Sequence, residues 1–513
     1  MYSLDEKSNE ASAATDRPPS EGLFQGVARH SFIYAFGMIV GRVVSFLMLP
    51  IYTRFLTPAD YGVLALVELT LDFITIIAGA KLVLGVFRYY HKAETRKERE
   101  EVVSTSFLLV AGLYSLVGMA VFIASEPLSH LVFGSGRNTI LFQIASVNVA
   151  LGALLMVPLS LARVEDRSVF FVGMNLVKLV LQVVAVLIFL VLMDLGVLGV
   201  FLATFFANLL VGLAATVWLF RRVRLSWTGR AAQNLFRYGF PLMLTKVATF
   251  ATTFSDRYFL QAVADETAVG LYNLTYQFGF ILVMVGFAPI DQIWSPKRFA
   301  VAERSDADDV LARGFILINV VLISVAVAIS LFVYDLLRVM ATPPFWSAAE
   351  LVPLILIAYV LQSWASVQDI GILLAERTRY VAVANFVAAG VAVVGYLIFI
   401  PRYLQLGAAS VTVVAFAVQF GLIYWFSQRL RRVRYRWRPV LLLCGWAAVA
   451  VGVSLLLPEL PIFRSILARS ALGLIFLAGV WVMPILERRE KEALLGLLDS
   501  VKRMLLTPRQ PKR

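Results

Sequence analysis

Apolar segments of about twenty residues, the length an α-helix needs to cross roughly 30 Å of hydrocarbon, recur along this chain from position 30 to position 486. Inside a bilayer no water satisfies the backbone, so each such segment has to close its own hydrogen bonds as a helix. Fourteen spans are expected, at about 30–52, 61–88, 102–125, 139–162, 168–193, 196–220, 237–260, 268–294, 312–334, 350–374, 380–401, 405–428, 439–457 and 466–486. The predicted class is an all-α integral membrane protein. Composition agrees, with 60% of residues hydrophobic and 15% charged.

The chain also repeats itself. Arg221-Arg222-Val223-Arg224-Leu225-Ser226-Trp227 returns 210 positions later as Arg431-Arg432-Val433-Arg434-Tyr435-Arg436-Trp437, each after a long apolar segment. The same offset lays Asp166-Arg167-Ser168 on Glu376-Arg377-Thr378 and Asn175 on Asn385. Two halves built on one plan are the usual architecture of an alternating-access transporter. The organisation expected is a disordered cytosolic N-terminus over 1–27, an N-lobe of spans one to six over 28–222 and a cytosolic linker over 223–236. A C-lobe of spans seven to twelve over 237–430, spans thirteen and fourteen over 431–486, and a cytosolic tail over 487–513 complete it.

The net charge of +13 suggests nucleic acid until the cations are sorted by side. Most lie in connections on one side, in clusters from Arg88 to Arg99, Arg221 to Arg237, Lys297 to Arg313, Arg429 to Arg438 and from Arg488 onward. Short basic connections mark the cytosolic face, so both termini are expected there and no nucleic-acid partner is implied. Residues 1–22 lack the apolar core of a secretory signal. The lone cysteine, Cys444, lies within a span, and the three histidines are scattered, so neither a disulfide framework nor a metal site is expected. The longest external connections, about 126–138 and 335–349, are too short for a catalytic domain. No Gly-x-x-x-x-Gly-Lys phosphate loop is present. The expectation is therefore a chain that is not an enzyme and carries no cofactor.

Chemistry is left to polar residues inside the spans, where a charge costs about 2.5–3.5 kcal/mol even on the lenient insertion scale. Arg42, Lys81, Lys178 and Lys246 are cations in this position; Glu68, Asp72, Asp291 and Asp369 accompany them, with Asp256 and Arg257 near the outer end of span seven. Helical spacing gathers them into stripes: Ser31, Tyr34, Met38, Arg42 and Ser45; Glu68, Asp72, Thr75 and Gly79; Asn175, Lys178 and Gln182; Lys246, Thr249, Thr253 and Asp256; Tyr359, Gln362, Ser366 and Asp369. Polar faces on helices of both halves predict a hydrated, cationic central cavity. Arg42 and Asp72 share a depth, and either pair structurally or serve the substrate. Lys178 has no acid on its own helix, and the acid on that of Lys246, Asp256, lies toward the outer end, which makes a ligand anion the economical partner for both. Lys81 lies opposite Asp72 on its helix and either contributes or snorkels to the interface. Residues 299–313 are expected to form a short cytosolic helix, and 490–506 an amphipathic helix on the inner leaflet.

Two stretches resemble a known family. Leu49-Pro50-Ile51-Tyr52-Thr53-Arg54-Phe55-Leu56-Thr57-Pro58-Ala59-Asp60-Tyr61-Gly62 is similar to the segment joining the first two helices of polysaccharide-biosynthesis (Wzx-like) flippases. These belong to the multidrug/oligosaccharidyl-lipid/polysaccharide exporter superfamily. Asp256-Arg257-Tyr258-Phe259-Leu260 with Val269-Gly270-Leu271-Tyr272 resembles the seventh-to-eighth connection of that family. The resemblance implies two parallel six-helix lobes around a central cavity plus two C-terminal helices. It implies transport of an undecaprenyl-pyrophosphate-linked oligosaccharide to the outer leaflet of the inner membrane, for O-antigen, capsule or exopolysaccharide assembly. Membrane lipid and a glycan polymerase are the partners it suggests. Arg42, Lys81, Lys178 and Lys246 suit the pyrophosphate; Asn175, Gln182 and Gln362 suit sugars. Glu68, Asp72, Asp256 and Asp369 are candidates for proton or sodium coupling, or for ion pairs. A cation-coupled drug antiporter of the same superfamily is the alternative, expected to have an acidic cavity. A non-transporting scaffold of a glycan-assembly complex leaves the intramembrane charges unexplained.

Overall fold

The computed structural model describes residues 46–79, 82–457, 460–488 and 490–492, with 33, 37, 40, 41, 43 and 44. Arg42, Lys81, the segment 1–27 and most of the proposed tail helix lie outside the described residues. All regular structure among those described is helical. The helices are α1 (Leu49–Phe55), α2 (Pro58–Ile77), α3 (Leu84–Lys92), α4 (Arg96–Ile123), α5 (Ser125–Phe133), α6 (Thr139–Val164), α7 (Ser168–Val186), α8 (Gly196–Phe220) and α9 (Gly229–Phe254). They continue with α10 (Asp256–Val263), α11 (Glu266–Leu282), α12 (Ala288–Ala302), α13 (Ala307–Met340), α14 (Val352–Gln368), α15 (Ile370–Leu374), α16 (Arg379–Leu430), α17 (Trp437–Leu455) and α18 (Ile462–Val482).

Ten helices among the described residues are long and apolar enough to cross a membrane. Two further long helices, α2 and α9, carry charges along their length. The 52 residues of α16 would reach about 78 Å if straight, more than twice the hydrocarbon thickness. Leu404 breaks it, with φ 48° and ψ −127° just beyond Pro401. The short cytosolic helix expected over 299–313 is not what forms. Instead α12 runs through Ala302, a turn occupies 303–306, and α13 starts at Ala307. Arg304 closes that turn on Asp306 at 2.8 Å and holds its carboxyl below the usual carboxylate range.

The duplication is written into the backbone. Asp166 and Glu376, 210 residues apart, both take φ 54°. After each, the next N–H returns to a carbonyl five residues back: Arg167 to Ala162 at 2.8 Å, Arg377 to Ile372 at 3.1 Å. This is the Schellman turn that ends a helix, here with an acidic residue in the left-handed conformation both times. Val223 and Val433, also equivalent, are both buried.

The chain divides into two compact units, one of Met1–Phe55 with Val67–Leu244, the other of Leu56–Leu66 with Thr245–Arg513. In the first, Val103, Phe107 and Tyr114 of α4 pack with Val157 and Leu161 of α6 and Leu219 of α8. Asn148 on α6 donates to the Phe201 carbonyl on α8 at 3.0 Å. In the second, α18 is pinned to α13 by Arg469 and Ser465 on Asp335, at 2.9 and 3.0 Å. Trp437 at the start of α17 seats edge-on against Phe315 and Trp364.

The motif around position 57 is a cap. Asp60 N–H donates to Thr57 Oγ1 at 3.2 Å, and Asp60 Oδ2 accepts from Thr57 N–H at 3.0 Å. Pro58 then occupies the first helical position, where no N–H is needed. Asp265 caps α11 in the same way, accepting from Ala268 N–H at 2.8 Å. Five residues past each cap stands a glycine, Gly62 and Gly270. A Cβ on Gly62 would lie 1.9 Å from the Glu266 oxygen, and one on Gly270 1.9 Å from the Pro58 oxygen. The first turns of α2 and α11 therefore touch backbone to backbone, reciprocally. Gly62→Ala and Gly270→Ala are each expected to cost about 1–3 kcal/mol of stability by overpacking. Because each parts the same two helices, the double variant should lose less than the sum. Thermal unfolding in detergent measures both, and additive losses would show that the two contacts are independent.

Candidate functional site

Within the first unit, α3, α6, α7 and α8 enclose a cavity of about 420 Å³. Its wall is mainly aliphatic, with Phe87 from α3, Ser160 and Arg163 from α6, Asn175 and Lys178 from α7, and Asn208 from α8. Asn175 and Lys178 stand three apart on one helix and so share a face. Arg163 is in the last turn of α6, where the helix dipole favours a cation. Its guanidinium lies over Phe171 at 4.7 Å and Phe87 at 5.4 Å. Stacking uses the faces of the guanidinium and leaves its N–H donors in plane, the geometry that binds phosphate in a fork. Among the described residues Lys178 takes part in no ion pair. Asn208 is 5% exposed and its Oδ1 has no hydrogen-bond partner. A buried acceptor left unpaired costs about 1–3 kcal/mol, so this position favours a hydroxyl donor.

The other sequence candidates are distributed elsewhere. Gln182 donates to Thr204 Oγ1 at 3.2 Å, joining α7 to α8 outside the cavity lining. Glu68 and Asp72 stand one turn apart on α2, both exposed. Lys246 is exposed on α9, and Gln362 is half-buried on α14, both in the second unit.

Asp256 is enclosed. The helix breaks between α9 and α10, and the two residues beyond the break, Asp256 and Arg257, pair at 2.9 Å with both side chains 0% exposed. Asp256 Oδ2 accepts from Tyr276 at 2.7 Å and Tyr272 at 2.8 Å. Arg257 also donates to the Thr253 carbonyl at 2.9 Å and lies 4.0 Å over the Tyr276 ring. The network extends from Tyr276 through Thr412 to Tyr396, tying α10 and α11 to α16. Asp369 likewise has a partner, Arg298 on α12 at 2.8 Å. Arg298 further donates to the Ser366 and Val367 carbonyls, capping α14 where it breaks before α15. Of the two readings left open for these acids, ion coupling and ion pairing, both have the geometry of a pair. Asp291 accepts from Ser295 at 2.9 Å.

Sequence reasoning missed Arg163, Asn208 and Arg298. Arg298 falls in the basic cluster from Lys297 to Arg313, and Arg163 lies just past the expected end of span four, although Ser160 and Arg163 share a helical face. Asn208 is a lone amide in an apolar helix, with no stripe to flag it.

The model of the polysaccharide biosynthesis protein family matches residues 27–296, more than half of the 513 residues. The chain belongs to this family. The match includes the whole lining of the first-unit cavity and the Asp256–Arg257 pair. The succinoglycan biosynthesis transport protein ExoT of Rhizobium meliloti (strain 1021) is 25% identical over 248 residues, 46% of this chain and 47% of its own. The chain thus spans about half the length of this curated relative. Among solved structures, the lipid II flippase MurJ in an inward closed conformation superimposes with a TM-score of 0.68 at 12% identity. The match covers 88% of this chain and 98% of that one. An inward-facing multidrug resistance MATE family transporter of the MOP superfamily gives 0.62 at 15% identity, over 76% and 95%. This polysaccharide biosynthesis family member is a multi-pass membrane protein with the fold those structures share.

Proposed function

We propose that this chain moves an undecaprenyl-pyrophosphate-linked oligosaccharide from the inner to the outer leaflet of the inner membrane by alternating access. Its fourteen spans form two parallel six-helix lobes and two terminal helices, and both termini are cytoplasmic. The observation that carries the reading is the first-unit cavity, whose described lining holds Arg163 and Lys178 and no carboxylate. Two cations in a mostly apolar wall suit a compact dianion attached to a lipid. Asn175, Ser160 and Asn208 offer the neutral donors and acceptors that sugar hydroxyls need. Arg42, Lys81 and Lys246 contribute further positive charge on this reading, with Gln182 and Gln362 supporting the glycan. Glu68 and Asp72, exposed and in no ion pair among the described residues, are the coupling candidates, whereas Asp256 and Asp369 act structurally. A glycan polymerase takes the product.

The test is translocation by the purified chain in liposomes. A fluorescent polyprenyl-pyrophosphate oligosaccharide should change leaflets faster than in empty liposomes, while a lipophilic drug cation should not be moved. Movement of the cation alone would make the chain an antiporter, and movement of neither would make it a scaffold.

A further inference from the structure

The two copies of the basic heptad take different surroundings. In each, the valine is the buried anchor, Val223 at 6% and Val433 at 3% exposure. In the second copy the residues after it are packed: Tyr435 against Phe315 at 5.3 Å, and Trp437 against Phe315 and Trp364 at 5.3 and 5.6 Å. In the first copy the equivalents are open. Leu225 is 67% exposed and Trp227 56%. The strand of chain that carries them is nonetheless fixed, because Ser226 N–H donates to Ser104 Oγ at 2.9 Å and Thr228 N–H to Thr105 Oγ1 at 3.0 Å. Exposure here is a held conformation, not a loose loop.

Around the open pair the exposed charge is mainly positive, although Glu100 accepts from Arg224 N–H at 3.4 Å and Glu101 from Thr228 Oγ1 at 3.3 Å. Arg221, Arg224 and Arg230 are all exposed, while Arg222 is occupied by Glu165 at 3.9 Å and Trp218 at 4.9 Å. The following helix, α9, continues the face with exposed Phe236 and Phe240, stacked at 5.8 Å. A tryptophan and leucine rimmed by arginines, leading into an apolar helix face, match the edge of a bilayer. The indole sits at headgroup depth, and the guanidinium forks bind phosphate.

We propose that Leu225 and Trp227, with Arg221, Arg224 and Arg230, form a binding surface for anionic phospholipid headgroups of the leaflet they face. The occupant is lipid because charge complementarity and the continuous apolar face are met together by an anionic headgroup on an acyl chain. The duplicated heptad thus serves one half as an internal seat and the other as a membrane contact.

The full chain in nanodiscs tests this through the fluorescence lost on Trp227→Phe, which isolates the emission of that indole. Phosphatidylglycerol brominated near the headgroup end of its acyl chains should quench the Trp227 signal more than phosphatidylcholine brominated alike, at equal mole fraction. The apparent affinity for the anionic lipid should fall roughly five-fold for each of Arg221→Gln, Arg224→Gln and Arg230→Gln, and more salt should weaken it. The signal lost on Trp437→Phe should respond to neither lipid, which controls for general quenching. Equal quenching by the two lipids would overturn the anionic preference. Absence of quenching by either would mean that protein, such as a second chain, covers the surface, and would overturn the proposal.

Discussion

Asp256→Ala is expected to lower the stability of this protein by about 3–5 kcal/mol, because it leaves a guanidinium buried without its counter-ion. Arg257 is 0% exposed, so it has no route to water short of parting α10 from α11. Arg257→Leu should cost a similar amount, stranding the carboxylate against Tyr272 and Tyr276, which supply two of its hydrogen bonds. The double variant should recover a large share, since a buried pair replaced by apolar side chains is often nearly neutral. Thermal unfolding of the four proteins in one detergent gives the cycle. Single variants as stable as the wild type would remove the pair from the structural account and return Asp256 to the coupling candidates.

Arg163→Gln and Lys178→Gln are expected to abolish most transport while leaving the protein folded. Lys178 takes part in no ion pair among the described residues, so removing its charge strands no acid there, and Arg163→Gln keeps a polar side chain of similar reach. A charge-assisted hydrogen bond is worth about 1.5–3 kcal/mol, and each substitution should weaken binding of a polyprenyl pyrophosphate by roughly ten- to a hundred-fold. A polyprenyl monophosphate, with one phosphoryl group to contact, should lose less on the second substitution than on the first. Competition binding with the two lipids reads this directly, beside unfolding midpoints that should stay at the wild-type value. Unchanged binding in both variants would exclude the cavity as the headgroup site.

Much of the fold was legible because it follows from one-dimensional periodicity. Apolar runs fix helices, and the offset of 210 residues predicted a shared backbone, seen in the left-handed Asp166 and Glu376. Two of the cavity's five polar lining residues were legible for the same reason, since Asn175 and Lys178 lie on one helix and their spacing alone places them together. The others were not. Arg163 and Asn208 arrive from α6 and α8, and only packing sets which face of a neighbouring helix meets α7. Asp369 shows the same limit: its partner Arg298 is on another helix, so an acid that looked available for coupling is engaged. The helix expected over 299–313 is instead divided between the end of α12 and the start of α13, because Arg304 pairs with Asp306 two residues on and closes a turn between them.

The most direct measurement places the headgroup itself. A lipid-linked oligosaccharide with a photoreactive diazirine beside its pyrophosphate, irradiated with the chain in nanodiscs, should label peptides of α6 and α7 around Arg163 and Lys178. Excess unlabelled lipid should suppress that labelling, and the Arg163→Gln/Lys178→Gln variant should lose it. Specific labelling confined to helices outside the cavity, undiminished in that variant, would contradict the claim that this cationic cavity receives the pyrophosphate.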